Sequence, residues 1–474
     1  LIVLLRAWAL LSRHRHREGA DPFMNVFTYV PRTVRRWFTD GIFRRIFKNA
    51  GLMLTGRVTT GLLSLGTLSL AAQGLGVEQF GILILIQTYV LVITALTTFQ
   101  SWQAVIKYGA DCLEGDDTAS LQGLVKFTTL LDVAGVVFGS FVGYFAAPYI
   151  GPYVGWSDEV ISYAQPFSFL VLFTMVATPT GLLRLYDRFD LLAVHTVVTP
   201  AVRFIGVGIA AFLSAPFWAY LLAYFIGGVA GGLYLLFLGW REFCRDGRHK
   251  GLDFSLRGLT KPHGGIWKFS IFSNLHASLQ VVTQHMSTFL VGIVAGPAPA
   301  GLFKVGRDVA TALTKPAELL NQSIYPEFAR LGSRGSWDQF TYLILRGGAL
   351  AAGAGTALLA LAFLFGDPFL VFFFGAPFAD AYLALVLLVA SAVITISGFP
   401  MEPAIYAMGR PSIPLRIDVI SILVIFIPLL VVLTRLFGPT GAATATLVSA
   451  AFTFMAMAVL TTSQLRQRIA TQST

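Results

Sequence analysis

Apolar residues run through this chain in stretches of about 20, each long enough to cross a bilayer as a helix. Twelve such stretches fall at roughly 50–73, 80–105, 123–147, 160–183, 191–213, 216–239, 266–294, 301–326, 339–364, 380–407, 414–435 and 440–462. None alternates with the two-residue period of a strand. Backbone groups in lipid must be bonded within their own segment, so the spans read as helices and a β-barrel is excluded. One span breaks the apolar pattern in an ordered way: Lys304, Asp308, Thr311, Lys315, Glu318 and Gln322 fall on a single helical stripe, with Arg307 beside it. A charge at bilayer depth costs a few kcal/mol unless it faces protein or water, so such residues are functional candidates by default.

Composition agrees with the pattern. Of 474 residues 55% are hydrophobic and 12% charged, about half the charged share of a soluble chain. Basic residues then orient the spans. Counted alternately, one set of connections holds Arg184 and Arg188, the 241–261 cluster, Arg330 and Arg334, Arg410 and Arg416, and Arg466 and Arg468. The opposite set holds none, apart from Arg435 at an edge. The positive-inside rule places both termini in the cytoplasm and makes twelve crossings self-consistent. The pI near 9.7 therefore reflects loops facing anionic lipid, and no nucleic-acid motif accompanies it. Cys112 and Cys244 both fall in cytoplasmic connections and are expected as free thiols.

Residues 1–48 form a basic cytoplasmic arm. Leu1–Leu11 is too short to span, and the first methionine is Met24, which leaves open whether residues 1–23 precede the native start. His14 and His16 lack a third metal ligand. From Pro31 to Phe47 the apolar Val34, Phe38, Ile42 and Ile46 share a face among arginines, which predicts an amphipathic helix at the interface.

The longest charged connection, 240–265, separates six spans from six, giving an N-terminal bundle at 49–239 and a C-terminal bundle at 266–462, with a cytoplasmic tail at 463–474. Leu75-Gly76 through Phe80-Gly81 matches Ala295-Gly296 through Ala300-Gly301 at an offset of 220, as Lys48 matches Lys268. The fold class is thus an all-α polytopic membrane protein of twelve helices, in two six-helix bundles related by a parallel repeat around a central cavity.

Several polar faces could line that cavity. Span 7 aligns Ser273, His276, Gln280, Thr283 and Ser287; span 1 aligns Arg57, Thr60, Ser64 and Thr67. Ser and Thr alone would read as interhelical hydrogen bonding. Arg57 and Arg203 lie at depth without a local acid, and with Lys304, Arg307 and Lys315 they outnumber the deep acids Asp132, Asp308 and Glu318. Such a cavity attracts an anion and repels a cation. The spacings Lys304–Asp308 and Lys315–Glu318 equally permit mutual neutralisation. Substrate contacts are assigned to Arg57, Arg203, Lys268, Lys304, Arg307, Lys315, His276 and Gln280, and ion coupling to Asp308, Glu318 and Asp132. No phosphate-binding loop, nucleophile elbow or metal-ligand spacing is present, so neither an enzyme nor a cofactor is expected.

Gly181-Leu182-Leu183-Arg184-x-x-x-Arg188-Phe189-Asp190, the Pro316 region with Ile324-Tyr325-Pro326-Glu327-Phe328-Ala329-Arg330-Leu331, and the Leu75–Gly81 stretch together resemble the Wzx-type oligosaccharide flippases. Their superfamily also holds the MATE drug exporters and the lipid II flippases. The resemblance covers about Phe47 to Gln464. It implies a V-shaped pair of bundles in the bacterial inner membrane. These would move a polyprenyl-diphosphate-linked oligosaccharide from the cytoplasmic to the periplasmic leaflet during polysaccharide synthesis, coupled to an ion gradient. It further implies basic cavity residues that attract the diphosphate, a monomer, and partners among polysaccharide polymerase and chain-length proteins. The competing reading on the same fold is a cation-coupled multidrug exporter, against which the basic excess argues. A periplasmic polymerase or ligase would need a reactive outer loop, and 365–379 offers only Asp367.

Overall fold

The computed structural model describes residues 41–251, 255, 259–260, 262–410 and 412–472, with side chains except at 41–54, 272–284, 313–323, 325–326, 329, 333 and 470–472. The predicted interfacial helix therefore lies almost wholly outside the described residues. The chain divides into two units, Leu1–Thr55 and Gly56–Thr474. In the first, the described part is helical backbone from Gly41 onward. All that follows concerns the second.

The regular structure among the described residues is all helical. The elements are α1 (Gly41–Thr97), α2 (Trp102–Glu114), α3 (Thr118–Ile150), α4 (Asp158–Phe167), α5 (Ala177–Leu185), α6 (Phe189–Phe212) and α7 (Phe217–Arg245). They continue with α8 (Ile266–Ala295), α9 (Pro297–Ser333), α10 (Trp337–Phe374), α11 (Tyr382–Ser397), α12 (Met401–Ala407), α13 (Ser412–Ile420) and α14 (Ile427–Gln472). A 3₁₀ stretch, Ser168–Thr174, follows α4, and a π-helical turn, Ser421–Phe426, joins α13 to α14.

This is a polytopic helical membrane bundle. Among the described residues eight helical segments are long and apolar enough to cross a bilayer. Their outward faces carry side chains that water would not tolerate in such number: Phe138 and Phe141 are 62% and 60% exposed, and Phe212 is 88% exposed. Twelve spans were expected; among the eight segments, two run on through what the sequence divides into two spans each. Thr55–Thr97 and Ser412–Ile469 each run through a glycine in non-helical conformation, Gly76 (φ 72°) and Gly438 (φ 57°). A straight helix of the first length would be about 65 Å long, roughly twice the hydrocarbon thickness. α8 and α9 are the remaining two; their side chains at 272–284 and 313–323 lie outside the described set, and the described part of α9 carries Lys304, Arg307 and Asp308.

Glycines in the left-handed region close the turns. Gly76 pairs with Gly296, and Gly155 with Gly375, at the same offset that relates the Leu75–Gly81 and Ala295–Gly301 segments; all four have positive φ. The likeness between the two segments thus extends from sequence to the backbone conformation of these glycines. Near Gly76 and Gly296 the backbones of α1 and α9 meet. A Cβ on Gly81 would lie 2.0 Å from the Pro297 carbonyl oxygen, and one on Gly301 would lie 3.1 Å from the Gly81 Cα. Aromatic contacts continue the seam: Phe80 meets Phe378 edge-on at 5.5 Å, and Tyr89 stacks on Phe289 at 6.3 Å.

The opposite end holds the basic connections. Arg188 bridges Asp190 at 3.1 Å and the buried Glu242, which Arg241 also meets at 3.0 Å. Arg248 joins Asp116 at 2.9 Å and Asp246 at 2.8 Å, tying the turn after α7 to the start of α3. The Asp190 pairing raises the Arg188 pKa further above its ordinary value. Cys112 and Cys244 are free.

Candidate functional site

The charged stripe begins about two turns into α9. Lys304 donates to both carboxylate oxygens of Asp308, at 2.6 and 2.7 Å, an i,i+4 pair that the helix geometry itself sets up. Of the two readings the spacing allowed, local neutralisation holds for this pair. Arg307 turns away from it. Its guanidinium donates to the hydroxyls of Ser287 and Thr288 on α8, at 2.8 and 3.2 Å. Both hydroxyls are buried. Arg307 also borders a cavity of about 280 Å³ whose polar lining comes from Ser287, Thr311, Ser391, Thr395 and Thr446. Among the described residues no carboxylate lines it, and one guanidinium and several hydroxyls do.

Arg203 approaches the same region from α6. Its guanidinium lies 5.0 Å from the ring centroid of the buried Tyr224 on α7, a cation–π contact. Gly227, one turn on, lets α6 and α7 close, since a Cβ there would sit 2.4 Å from the Arg203 Cγ. The Arg203 Nε is sealed from solvent and has no hydrogen-bond partner among the described residues. An unmade hydrogen bond on a buried cation is expensive, so this nitrogen is poised for an acceptor. Tyr224 lies within electrostatic range of Asp308, and His285 lies within range of Lys304, Arg307 and Asp308. His285, Lys304, Arg307 and Asp308 thus share one electrostatic neighbourhood, and Arg203 is linked to it through Tyr224.

The remaining predicted residues fall elsewhere. Arg57 is exposed on α1, within electrostatic range of Arg184 at the basic end. Lys268 is exposed in the first turn of α8. Asp132 is 2% exposed and accepts hydrogen bonds from the Ser101 hydroxyl and, at 2.8 Å, from the Thr178 backbone. It belongs to a separate place between α2, α3 and α5. The side chains of His276, Gln280, Lys315 and Glu318 lie outside the described set.

Sequence reasoning missed Tyr224 and His285. His285 follows His276 at a spacing that carries it roughly half a turn round the helix, at about 100° per residue, so the face chosen from the polar stripe of span 7 excluded it. Tyr224 sits in a helix rich in Phe, Tyr and Trp, where one ring among many gives no signal. A lone deep arginine such as Arg203 should have prompted a search for an aromatic partner.

The chain matches the family model described as polysaccharide biosynthesis protein over residues 46–332. It is 32% identical over 349 residues to the inner membrane protein YghQ of Escherichia coli (strain K12), an alignment covering 74% of this chain and 98% of that protein. Among solved structures it is similar to an inward-facing multidrug resistance MATE family transporter of the MOP superfamily, with TM-score 0.67 and 14% identity over 85% of this chain and 95% of the other. It is also similar to the lipid II flippase MurJ in an inward closed conformation, with TM-score 0.62 and 13% identity over 88% and 89% of the two chains. At such identities these two structures speak for the fold alone.

Proposed function

The chain belongs to the polysaccharide biosynthesis protein family, and from that premise we propose that it is a flippase. Its cargo is a polyprenyl-diphosphate-linked oligosaccharide, carried from the cytoplasmic to the periplasmic leaflet and coupled to an ion gradient. On this reading the glycine breaks at Gly76 and Gly438 divide two of the eight apolar segments, and α8 and α9 complete twelve crossings. Two six-helix halves, 49–239 and 266–462, then face one another across a central cavity. The matched glycine pairs, Gly76 with Gly296 and Gly155 with Gly375, support this division. The basic connections face the cytoplasm by the positive-inside rule.

The observation that carries the reading is the buried basic cluster. Lys304 pairs with Asp308, Arg307 lies within its electrostatic range, and Arg203 reaches the same neighbourhood through Tyr224, so that among the described residues three cations stand to one carboxylate. A diphosphate is the complementary anion. Its oxygens would satisfy the orphan Arg203 Nε and enter a hydroxyl-lined pocket beside Arg307. In a low-dielectric interior such charge-assisted hydrogen bonds are about twice as strong as neutral ones. A cationic drug would meet the same excess as repulsion.

The test is transfer of a fluorescent lipid-linked oligosaccharide between leaflets of proteoliposomes. The Arg203→Ala, Arg307→Ala double variant is expected to slow transfer by about tenfold or more, since each tenfold is only about 1.4 kcal/mol of barrier. Wild-type transfer by that variant overturns the basic-cluster assignment. Extrusion of a cationic dye with no lipid transfer overturns the flippase and supports the exporter.

A further inference from the structure

Asp132 takes no part in the basic cluster, and its surroundings differ in kind. It is residue 15 of the 33-residue helix α3, so it lies near the middle of a helix about 50 Å long. Its two hydrogen-bond donors, Ser101 and Thr178, both come from points where a helix is interrupted. α1 ends at Thr97 and α2 restarts at Trp102. The 3₁₀ stretch ends at Thr174 and α5 starts at Ala177. Two helices therefore break at the depth of one buried carboxylate. Within a membrane, helix breaks persist where protein or a bound group re-satisfies the freed backbone. Unwound backbone beside a buried acid is a geometry suited to coordinating small ions.

A cavity of about 180 Å³ lies between the two breaks, lined by Asp132 with Thr98, Gln100, Thr174 and Thr180. Its polar groups are oxygen-rich. The Thr98 hydroxyl donates its proton to the Thr94 carbonyl at 2.6 Å, and the Thr174 hydroxyl to the Val171 carbonyl at 2.6 Å. With those protons committed to their own helices, both oxygens can only accept, which suits a cation. The Gln100 carbonyl oxygen is turned by the Trp102 indole N–H at 3.0 Å.

Hydrogen bonding to the Thr178 amide and the Ser101 hydroxyl occupies one lone pair on each oxygen of Asp132. It does not account for the cavity or for a carboxylate that no ion pair joins among the described residues. One carboxylate with neutral oxygens matches a single positive charge. A divalent ion calls for more carboxylate ligands, and among the described residues no group of three His, Cys, Asp or Glu could hold one. We propose that this cavity binds a monovalent metal cation of sodium size, ligated by Asp132 and by the threonine oxygens at the two helix breaks. Binding stands independently of the cargo; only a coupling role for the ion rests on the flippase reading.

The test is ²²Na⁺ binding to the full chain purified in detergent, with no lipid-linked substrate. Wild type is expected to bind saturably, displaced by unlabelled sodium and not by choline. Asp132→Asn keeps the shape and the acceptor for the Thr178 amide, and it is expected to weaken binding by about tenfold or more. Thr98→Val and Thr180→Val remove single neutral ligands and are expected to weaken it several-fold. Arg307→Ala, in the other cluster, is expected to bind sodium as wild type does. Absence of saturable binding by wild type overturns the proposal. So does wild-type affinity in folded Asp132→Asn, or, where that variant fails to fold, in both threonine variants. Loss of lipid transfer with sodium binding intact would strike the flippase reading and leave this site standing.

Discussion

α1 beyond Gly76 and α9 beyond Gly296 start alike and end differently. Each leaves a glycine in the left-handed region, and each packs against the other where Gly81, Pro297 and Gly301 meet. From there they diverge. α9 carries Lys304, Arg307 and Asp308, whereas the matching positions on α1 are Ile84, Gln87 and Thr88. Conversely α1 breaks after Thr97 and restarts as α2, while α9 runs to Ser333 without interruption. One framework thus presents charge from an unbroken helix on one side, and holds a lone carboxylate against broken helices on the other. Side chains on a continuous helix suit a large anion that comes and goes. Backbone breaks around an acid suit a small ion held closely.

The comparison depends first on the shared seam, and breaking that seam should have the largest effect. Gly81→Val places a branched side chain where a Cβ alone would be 2.0 Å from the Pro297 carbonyl. We expect destabilisation of roughly 3 kcal/mol from overpacking, seen as a lower Tm in detergent. Gly61→Ala on the same helix meets nothing within 4 Å, and it is expected to be neutral or to gain up to about 1 kcal/mol in helix propensity. Equal effects from the two would show that the seam is not what holds α1 and α9 together.

The two acids give a second contrast. Asp132→Ala strips the acceptor from the Ser101 hydroxyl and the Thr178 amide, and a buried donor left unmade costs about 1–3 kcal/mol. Asp308→Asn loosens a pair whose side chains are 21% and 28% exposed, and its amide oxygen still accepts from Lys304, so the smaller cost is expected there. Thermal melts should rank Asp132→Ala well below Asp308→Asn. The reverse order would mean that the Lys304 pair is the structural one.

Legibility in the sequence followed the same division. Lipid imposes runs of about 20 apolar residues, so the spans could be read directly, and a lysine, an arginine and an aspartate inside such a run advertise themselves. The breaks could not be read. Thr98–Ser101 and Met175–Val176 contain neither Pro nor Gly, and what sustains them is Asp132, which lies on a different helix from either break. Arg203 was visible as a deep charge, but its ring partner Tyr224 comes from the next helix. Arg57 was expected beside the cluster because depth was counted along the sequence; it is exposed, with Arg184 as its electrostatic neighbour. A count of residues along a span says how deep a side chain starts, and says little about which neighbour it meets.

The smallest expected effect concerns how the two sides begin their next helices. α3 starts at Thr118 under Asp117, whose carboxylate accepts from the Ser120 amide at 2.9 Å and from the Ser120 hydroxyl at 2.6 Å. α10 starts at Trp337 after Ser336, which makes no side-chain cap bond. The bonds from Ser120 hold the Asp117 carboxyl below its ordinary pKa. A depressed folded pKa means the cap is complete at neutral pH, begins to lose its advantage below the unfolded value of about 3.9, and is gone once pH falls through the folded value. Hydrogen exchange should therefore show protection in the first turn of α3 that decays across that acid window. Asp117→Asn keeps a good cap at neutral pH and should abolish the acid step, while Ser336→Ala should leave the first turn of α10 unchanged. An acid step that survives in Asp117→Asn would assign the titration to another group and remove this difference between the two sides.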